Sequence, residues 1–356
     1  YFESVLLDVP DLLVRGHSGV ATDTIIDAGG APFGLQVTES GVQLNSLRVT
    51  NAVTGVDISG TSLTNFQASN IQVDGNSEDG IRFVETPGTS LELQIRDSIL
   101  SSNAEIGLKV TGADTVELQN VTASSNNVDG IAIRSVFETV LDTVTVNGNG
   151  DLGFNLQNVG PLWVRNPETS LNTNGNEFTN VSVLTLEPVS GNINNSVTVT
   201  GMDIQLNTGT GTQQETLTLS DVDTVQITGT GGSDTFVIDY SAAGPPATRQ
   251  LFLNGGQGND TILSVNDANQ RLTNDRLTIG GIDDIVIANF EQASLTGGVG
   301  NNNLNATAFD GQVTLNGLAG NDTLRGSSGN DVLDGGADDD ILDGGPLRKQ
   351  YVLGDM

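Results

Sequence analysis

The chain has no cysteine, one histidine and one tryptophan among 356 residues. Without cysteine there is no disulfide, no thiol chemistry and no cysteine-based zinc site. The lone histidine, His17 in LLVRGHSGV, has no recognisable serine or acid context, which removes the nucleophilic triads. Aromatics make up 4% of the chain, while Gly, Asn, Thr, Ser and Asp are plentiful. That composition fits short strands and turns rather than packed helices. Basic residues are scarce too: 13 against 44 acids, for a formal charge of −31. Such an excess repels itself unless cations offset it, and it argues against nucleic acid or an anionic membrane as partner. No apolar run approaches the roughly 20 residues of a membrane span, so membrane insertion is not expected. The chain opens on Tyr1 without a signal peptide and reads as a fragment or processed piece of something longer.

What is present is repetition. Three nine-residue blocks follow one another without a gap: GLAGNDTLR (317–325), GSSGNDVLD (326–334) and GGADDDILD (335–343). Each fits G-G-x-G-x-D-x-U-x with one lapse. Glycine at the first and fourth places, such as Gly317, Gly320 and Gly335, is expected to let the backbone take a tight positive-φ turn. The sixth place supplies a carboxylate (Asp322, Asp331, Asp340), and turn carbonyls can complete an oxygen cage for a hard cation. The eighth place, Leu324, Leu333 and Leu342, is expected to point into a narrow core. Spaced copies lie upstream. GTGGSDTFV carries Asp234, GGQGNDTIL carries Asp260, and GGVGNNNLN puts Asn302 where the carboxylate should be.

These blocks resemble the hemolysin-type (RTX) repeat family. The resemblance implies a parallel β-roll that binds Ca2+, with two nonapeptides to a coil and an ion shared between turns n and n+2. Carried over, Asp322 and Asp340 would form one complete site. Asp331 would need the turn starting at Gly344, but GGPLRKQYV offers Lys349 at the Asp place and Leu347 at the second Gly place. That site is expected to be absent or half-formed, marking the end of the roll. Asp338 replaces a glycine, which aspartate tolerates better than most residues. Asp234 and Asp260 lack tandem partners and stand as further candidate metal ligands.

The first half repeats at a longer period. Gly55, Gly80, Gly107, Gly130 and Gly153 each open a short strand, and an Asn stands four residues before each: Asn51, Asn76, Asn103, Asn126 and Asn149. With three short apolar segments per period, this pattern resembles a right-handed parallel β-helix of the pectate-lyase-like class. A coil cannot bury its inner face alone, so neighbours must stack. The recurrent Asn is expected to form a corner ladder rather than a catalytic set. The fold expected is therefore all-β, a right-handed parallel β-helix (β-solenoid) over 1–160. A β-rich adaptor or distorted coils follow over 161–223, then spaced repeats with strands over 224–310 and a tandem calcium-binding β-roll over 311–356. The run Thr208–Thr212 lacks the Lys and helix onset of a phosphate loop.

One outward stripe on the coils invites a functional question. Asp57, Arg82, Lys109, Ala132 and Asn155 hold equivalent rung positions, with Arg134 two residues beyond Ala132. Stacked cations could hold a carboxylated sugar, and β-helices of this class often act on acidic polysaccharides. The bland alternative is that Asp57 pairs with Arg82 and the others are solvated. No D-P-H signature, acidic rung cluster or paired-Asp arrangement supports an enzyme, and fold alone does not give function. The expectation is a calcium-binding structural or adhesive segment of a larger bacterial extracellular or cell-surface protein. The alternatives are a uronate lyase or epimerase-like enzyme, or a non-catalytic glycan-binding module.

Overall fold

Alternation decides the architecture. In Ile81–Val84 and Leu108–Thr111, the side chains of Ile81, Phe83, Leu108 and Val110 are fully buried while Arg82 and Lys109 face outward. Strands of period two with one covered face must arrange themselves this way. The computed structural model describes residues 3–60, 63–84, 90–165, 168–170, 172–187, 196–200, 203–207, 214–220, 222–241, 250–346 and 349–352. Within them all regular structure is strand, apart from a 3-10 turn at Ala21–Asp23. Two units form, one of residues 1–185 with 217–222 and the other of residues 186–216 with 223–356. The run Thr208–Thr212 lies outside the described residues.

The first unit is a parallel β-solenoid. One column of strands runs through Val5–Leu7, Phe33–Val37, Thr54–Ile58, Ile81–Val84, Leu108–Thr111, Ile131–Val136 and Phe154–Val159 in unbroken parallel register. A second column joins Leu13–Arg15, Val42–Asn45, Asn65–Ser69, Glu92–Ile99, Thr115–Thr122 and Glu138–Asn147. The expected third strand is separate in the early coils, at Ile25–Asp27, Arg48–Thr50 and Gln72–Asp74, and again at Glu168–Ser170 after Leu162–Arg165. In the three coils between, from Glu92 to Asn147, it fuses with the second into one long bent strand. The bend is made by a single left-handed residue per coil: Asp97, Asn120 and Thr143, at φ of 49°, 52° and 55°. Apart from glycine, Asx residues tolerate this region best, which suits Asp97 and Asn120, whereas Thr143 adopts it as a β-branched exception.

The asparagine ladder forms, with one member exchanged. The side-chain amide of Asn76 donates to Asn103 Oδ1 at 2.9 Å, Asn103 to Asn126 at 3.1 Å, Asn126 to Asn149 at 3.2 Å, and Asn149 to Asn172 at 2.9 Å. Each Oδ1 also accepts the backbone N–H of the Asn one coil earlier, as Asn126 Oδ1 does from Asn103. Asn51 is not in the ladder: Ala52 N–H takes the place above Asn76. Asn51 instead stands exposed at φ 57°, where its amide donates to Asp27. The fixed Asn-to-Gly interval has a packing cause. A Cβ on Gly107 would sit 2.8 Å from the amide nitrogen of Asn126 on the next coil, so each glycine leaves room for its neighbour's ladder amide.

The second unit is also a parallel stack, in two main columns. One joins Thr235–Asp239, Thr261–Val265, Gln292–Thr296, Gln312–Asn316, Asp331–Asp334 and Lys349–Val352. The other ends in Asn303–Ala308, Thr323–Arg325 and Ile341–Asp343. The coil shortens to 18 residues in the tandem part, as two nonapeptides require. Leu324 and Leu333 are fully buried, whereas Leu342 is half-buried, its strand pairing on one side among the described strands. The simple repeat picture omits two antiparallel excursions. Ser196–Thr200 pairs with Asp203–Asn207, and Arg276–Ile279 pairs with both Gln270–Thr273 and Ile282–Ala288.

Candidate calcium site

The sixth-place acids line up along the coil corners of the second unit. Asn302 N–H donates to Asp322 Oδ1 at 2.7 Å, and Asp322 N–H donates to Asp340 Oδ1 at 2.9 Å. On another corner, Asp234 N–H donates to Asp260 Oδ1 at 2.7 Å, and Asp260 N–H to Glu291 Oε2 at 2.8 Å. The pattern repeats that of the asparagine ladder: one side-chain oxygen accepts the backbone N–H of the preceding coil. The second oxygen differs. An amide would donate from that position, but a carboxylate has no proton to give. Accordingly, Oδ2 of Asp260 and Oδ2 of Asp322 are buried with no hydrogen-bond partner.

Leaving such an oxygen unmatched is costly, and the acids register the cost. Burial pushes the Asp260 carboxyl up to about 6, with the negative charges of Asp234 and Glu291 adding to it and the Asp234 N–H opposing. Burial likewise raises Asp322, with Asp340, Asp267 and Asp338 adding. A proton or a cation would relieve either group. The donor atoms are oxygens in an acidic surrounding, which suits a hard divalent ion such as calcium. Asp322 and Asp340 lie on one corner and Asp260, near Asp234 and Glu291, on another; among the described residues no group of three or more acids converges as a metal site, so turn carbonyls would have to complete either cage.

The recurrent spacing of glycine to acid within each nonapeptide has a different cause from the one expected. The first-place glycines, Gly317 and Gly335 among them, are not at positive φ. They are required because a Cβ on Gly317 or Gly335 would lie 2.2 Å from Oδ2 of Asp322 or Asp340. A side chain there would fill the space beside the unpartnered oxygen. Positive φ falls instead on the second and fourth places, at Leu318, Gly336, Gly320 and Asp338. Asp338 thus takes the left-handed conformation of the glycine it replaces, at φ 80°.

Asp331 is arranged otherwise. Its Oδ1 accepts from Val313 N–H at 3.1 Å and from Ser327 Oγ at 2.7 Å, and its Oδ2 from Ser327 N–H at 2.8 Å. The backbone N–H at the second place of that repeat, where Ser327 is not at positive φ, supplies the hydrogen bond that Asp322 Oδ2 lacks; the equivalent Leu318 is at φ 76°. Leu347, in the turn that would complete the Asp331 site, lies outside the described residues. Asp234 Oδ2 is held by Thr230 N–H at 2.6 Å.

The basic stripe on the first unit has the expected register, Asp57 beside Arg82, then Lys109, Ala132 and Asn155. Its cations have carboxylate partners within the protein. Arg82 meets Asp57 at 2.9 Å, and Lys109 meets Asp79 at 3.4 Å. Arg134 is exposed. Asp79 and Asp129 were not singled out by the sequence reading. Each precedes a rung glycine and reaches the next coil two places beyond its glycine: Asp79 to Lys109, and Asp129 to Asn155 at 2.8 Å. Ile106 stands in place of the acid before Gly107, and the position two beyond the next rung glycine is Ala132, so the stripe has an apolar gap there. Burial raises both acids above the ordinary carboxylate range, with Lys109 pulling Asp79 back and Asn155 pulling Asp129 back. Glu291 was also missed, because no glycine turn precedes it.

A family model of the RTX calcium-binding nonapeptide repeat matches the chain in four copies, over residues 252–266 and 316–346. These spans hold Asp260, Asp322, Asp331 and Asp340, while Asp234 lies outside them. No curated protein and no solved structure matches the chain. The chain therefore carries calcium-binding RTX repeats on a β-solenoid.

Proposed function

We propose that this chain is a structural or adhesive β-solenoid segment of a larger bacterial secreted or cell-surface protein, stiffened by calcium outside the cell. The observation that carries the reading is the pair of buried, unpartnered carboxylate oxygens on Asp260 and Asp322, within matched RTX repeats. Asp322 with Asp340 is the first site to fill, and Asp260 with Asp234 the second. Binding to the folded corners alone couples ion concentration to folding. Calcium modules of extracellular proteins work at about 10⁻⁴–10⁻³ M, far above cytosolic levels. The repeats would therefore be loose in the cytosol and ordered outside it. No helix among the described residues is long and apolar enough to cross a membrane.

Limited proteolysis of the full chain at sub-micromolar and at millimolar calcium tests this reading. Cleavage within 223–346 should be strong at low calcium and suppressed at high calcium. Equal cleavage at both concentrations would remove calcium stiffening as the function. The reading in which Arg82, Lys109 and Arg134 bind or act on an acidic polysaccharide gains little, because Asp57 and Asp79 already neutralise two of the three cations.

A further inference from the structure

We propose a second functional surface on the first unit: a binding cleft for a neutral polysaccharide, on the face formed by the second strand column. In register on successive coils stand Leu13, Gln43, Gln67 and Gln94. A neighbouring row holds Asn45, Ser69 and Arg96. Together they line a shallow cleft of about 190 Å³. The rows point outward, since Leu44, Phe66 and Ala68 between them are buried in the core.

The amides carry the argument. Each glutamine offers an acceptor oxygen and two N–H donors. Stacked a coil apart they could have laddered as the corner asparagines do. Among the described residues, Gln43, Gln67 and Gln94 make no side-chain hydrogen bond, with each other or with any neighbour, whereas Asn45 is held by Ser69 at 2.7 Å. Three coils thus present uncommitted donor–acceptor groups at the parallel strand spacing of about 4.8 Å. Hydroxyl-rich chains, which both donate and accept at every unit, match such a row.

Charge selects among glycans. The chain has 44 acids, yet none lines this cleft. Its one cation, Arg96, is occupied by Glu117 at 2.8 Å. The face therefore has no free charge to recruit a polyuronate, while the exposed Glu92 at its margin would repel one. The same row runs on through Glu117 and Val140 to Trp163, the only tryptophan of the chain and partly exposed. An indole at that place can stack on the apolar face of a sugar ring. Leu13, 56% exposed, gives the opposite end a second apolar surface.

Affinity electrophoresis of the full chain with calcium tests the cleft, using gels cast with hydroxyethyl cellulose, galactomannan or polygalacturonate. Retardation is expected in at least one neutral gel and not in polygalacturonate. The variant Gln43→Ala/Gln67→Ala/Gln94→Ala should lose at least tenfold in affinity. The single variant Gln67→Glu, at a position turned to solvent, should do the same with an unchanged melting temperature. The absence of retardation in both neutral gels would overturn the proposal, as would equal retardation of Gln67→Glu and the parent. Retardation confined to polygalacturonate would also overturn it, and would return glycan binding to the Arg82 face.

Discussion

At a coil corner, the difference between an amide and a carboxylate is one proton donor. In the first unit the Asn126 amide accepts from one neighbour and donates to the next, so both of its polar atoms are matched, while Asp79 Oδ1 on the same unit is buried without a hydrogen-bond partner. Asn126→Ala should leave Asn103 N–H without its partner and cost about 1–3 kcal/mol in thermal or denaturant unfolding. Asn51→Gly, which keeps the left-handed backbone at an exposed site off the ladder, should stay within about 0.5 kcal/mol. Equal losses would refute the assigned ladder. Asp322→Asn makes the reciprocal exchange in the second unit. The new amide can donate where Oδ2 had no partner, so the calcium-free protein should melt higher and gain less from added calcium. A calcium-free melting point below that of the parent would count against the unpartnered-oxygen account. The sixth-place acids were legible because spacing and residue type recur. The reason for the first-place glycine was not, since contact between Gly317 and its own Asp322 appears only once the turn is closed.

At the scale of the strand and its corner, the period announced the coil, but not where one strand ends. The segment Glu92–Ile99 reads as two apolar pieces, and a single left-handed Asp97 is enough to fuse them. The Asn at 51 mimicked a ladder member by spacing alone, and the register of Ala52 decided otherwise. The corner acids Asp79 and Asp129 yield a pH prediction. Both hold their protons more tightly in the folded state than in the unfolded chain. Their stabilising contribution is therefore full below the unfolded carboxylate range and is lost as pH rises through the raised folded values. Melting the parent beside Asp79→Asn/Asp129→Asn isolates this part. The parent's advantage should shrink as pH climbs above about 4. An advantage that grows over the same interval would contradict the assigned burial.

For the molecule as a whole, an excess of 31 negative charges opposes compaction, and the two units meet that problem differently. The first distributes amides along its corner and tucks Asp57, Asp74 and Asp79 against Arg82, Arg48 and Lys109. The second keeps its corner carboxylates, with Asp260, Asp322 and Asp340 inside calcium-binding repeats. The antiparallel excursions at Ser196–Asn207 and Gln270–Ala288 follow neither repeat, and no periodic signal could have placed them. The most direct test of this division is hydrogen–deuterium exchange of the full chain, with millimolar calcium and with a chelator, resolved peptide by peptide. Calcium should slow exchange across residues 317–343, and more weakly across 229–263, while leaving 76–160 unchanged. Equal slowing in both units, or none over 317–343, would contradict the account.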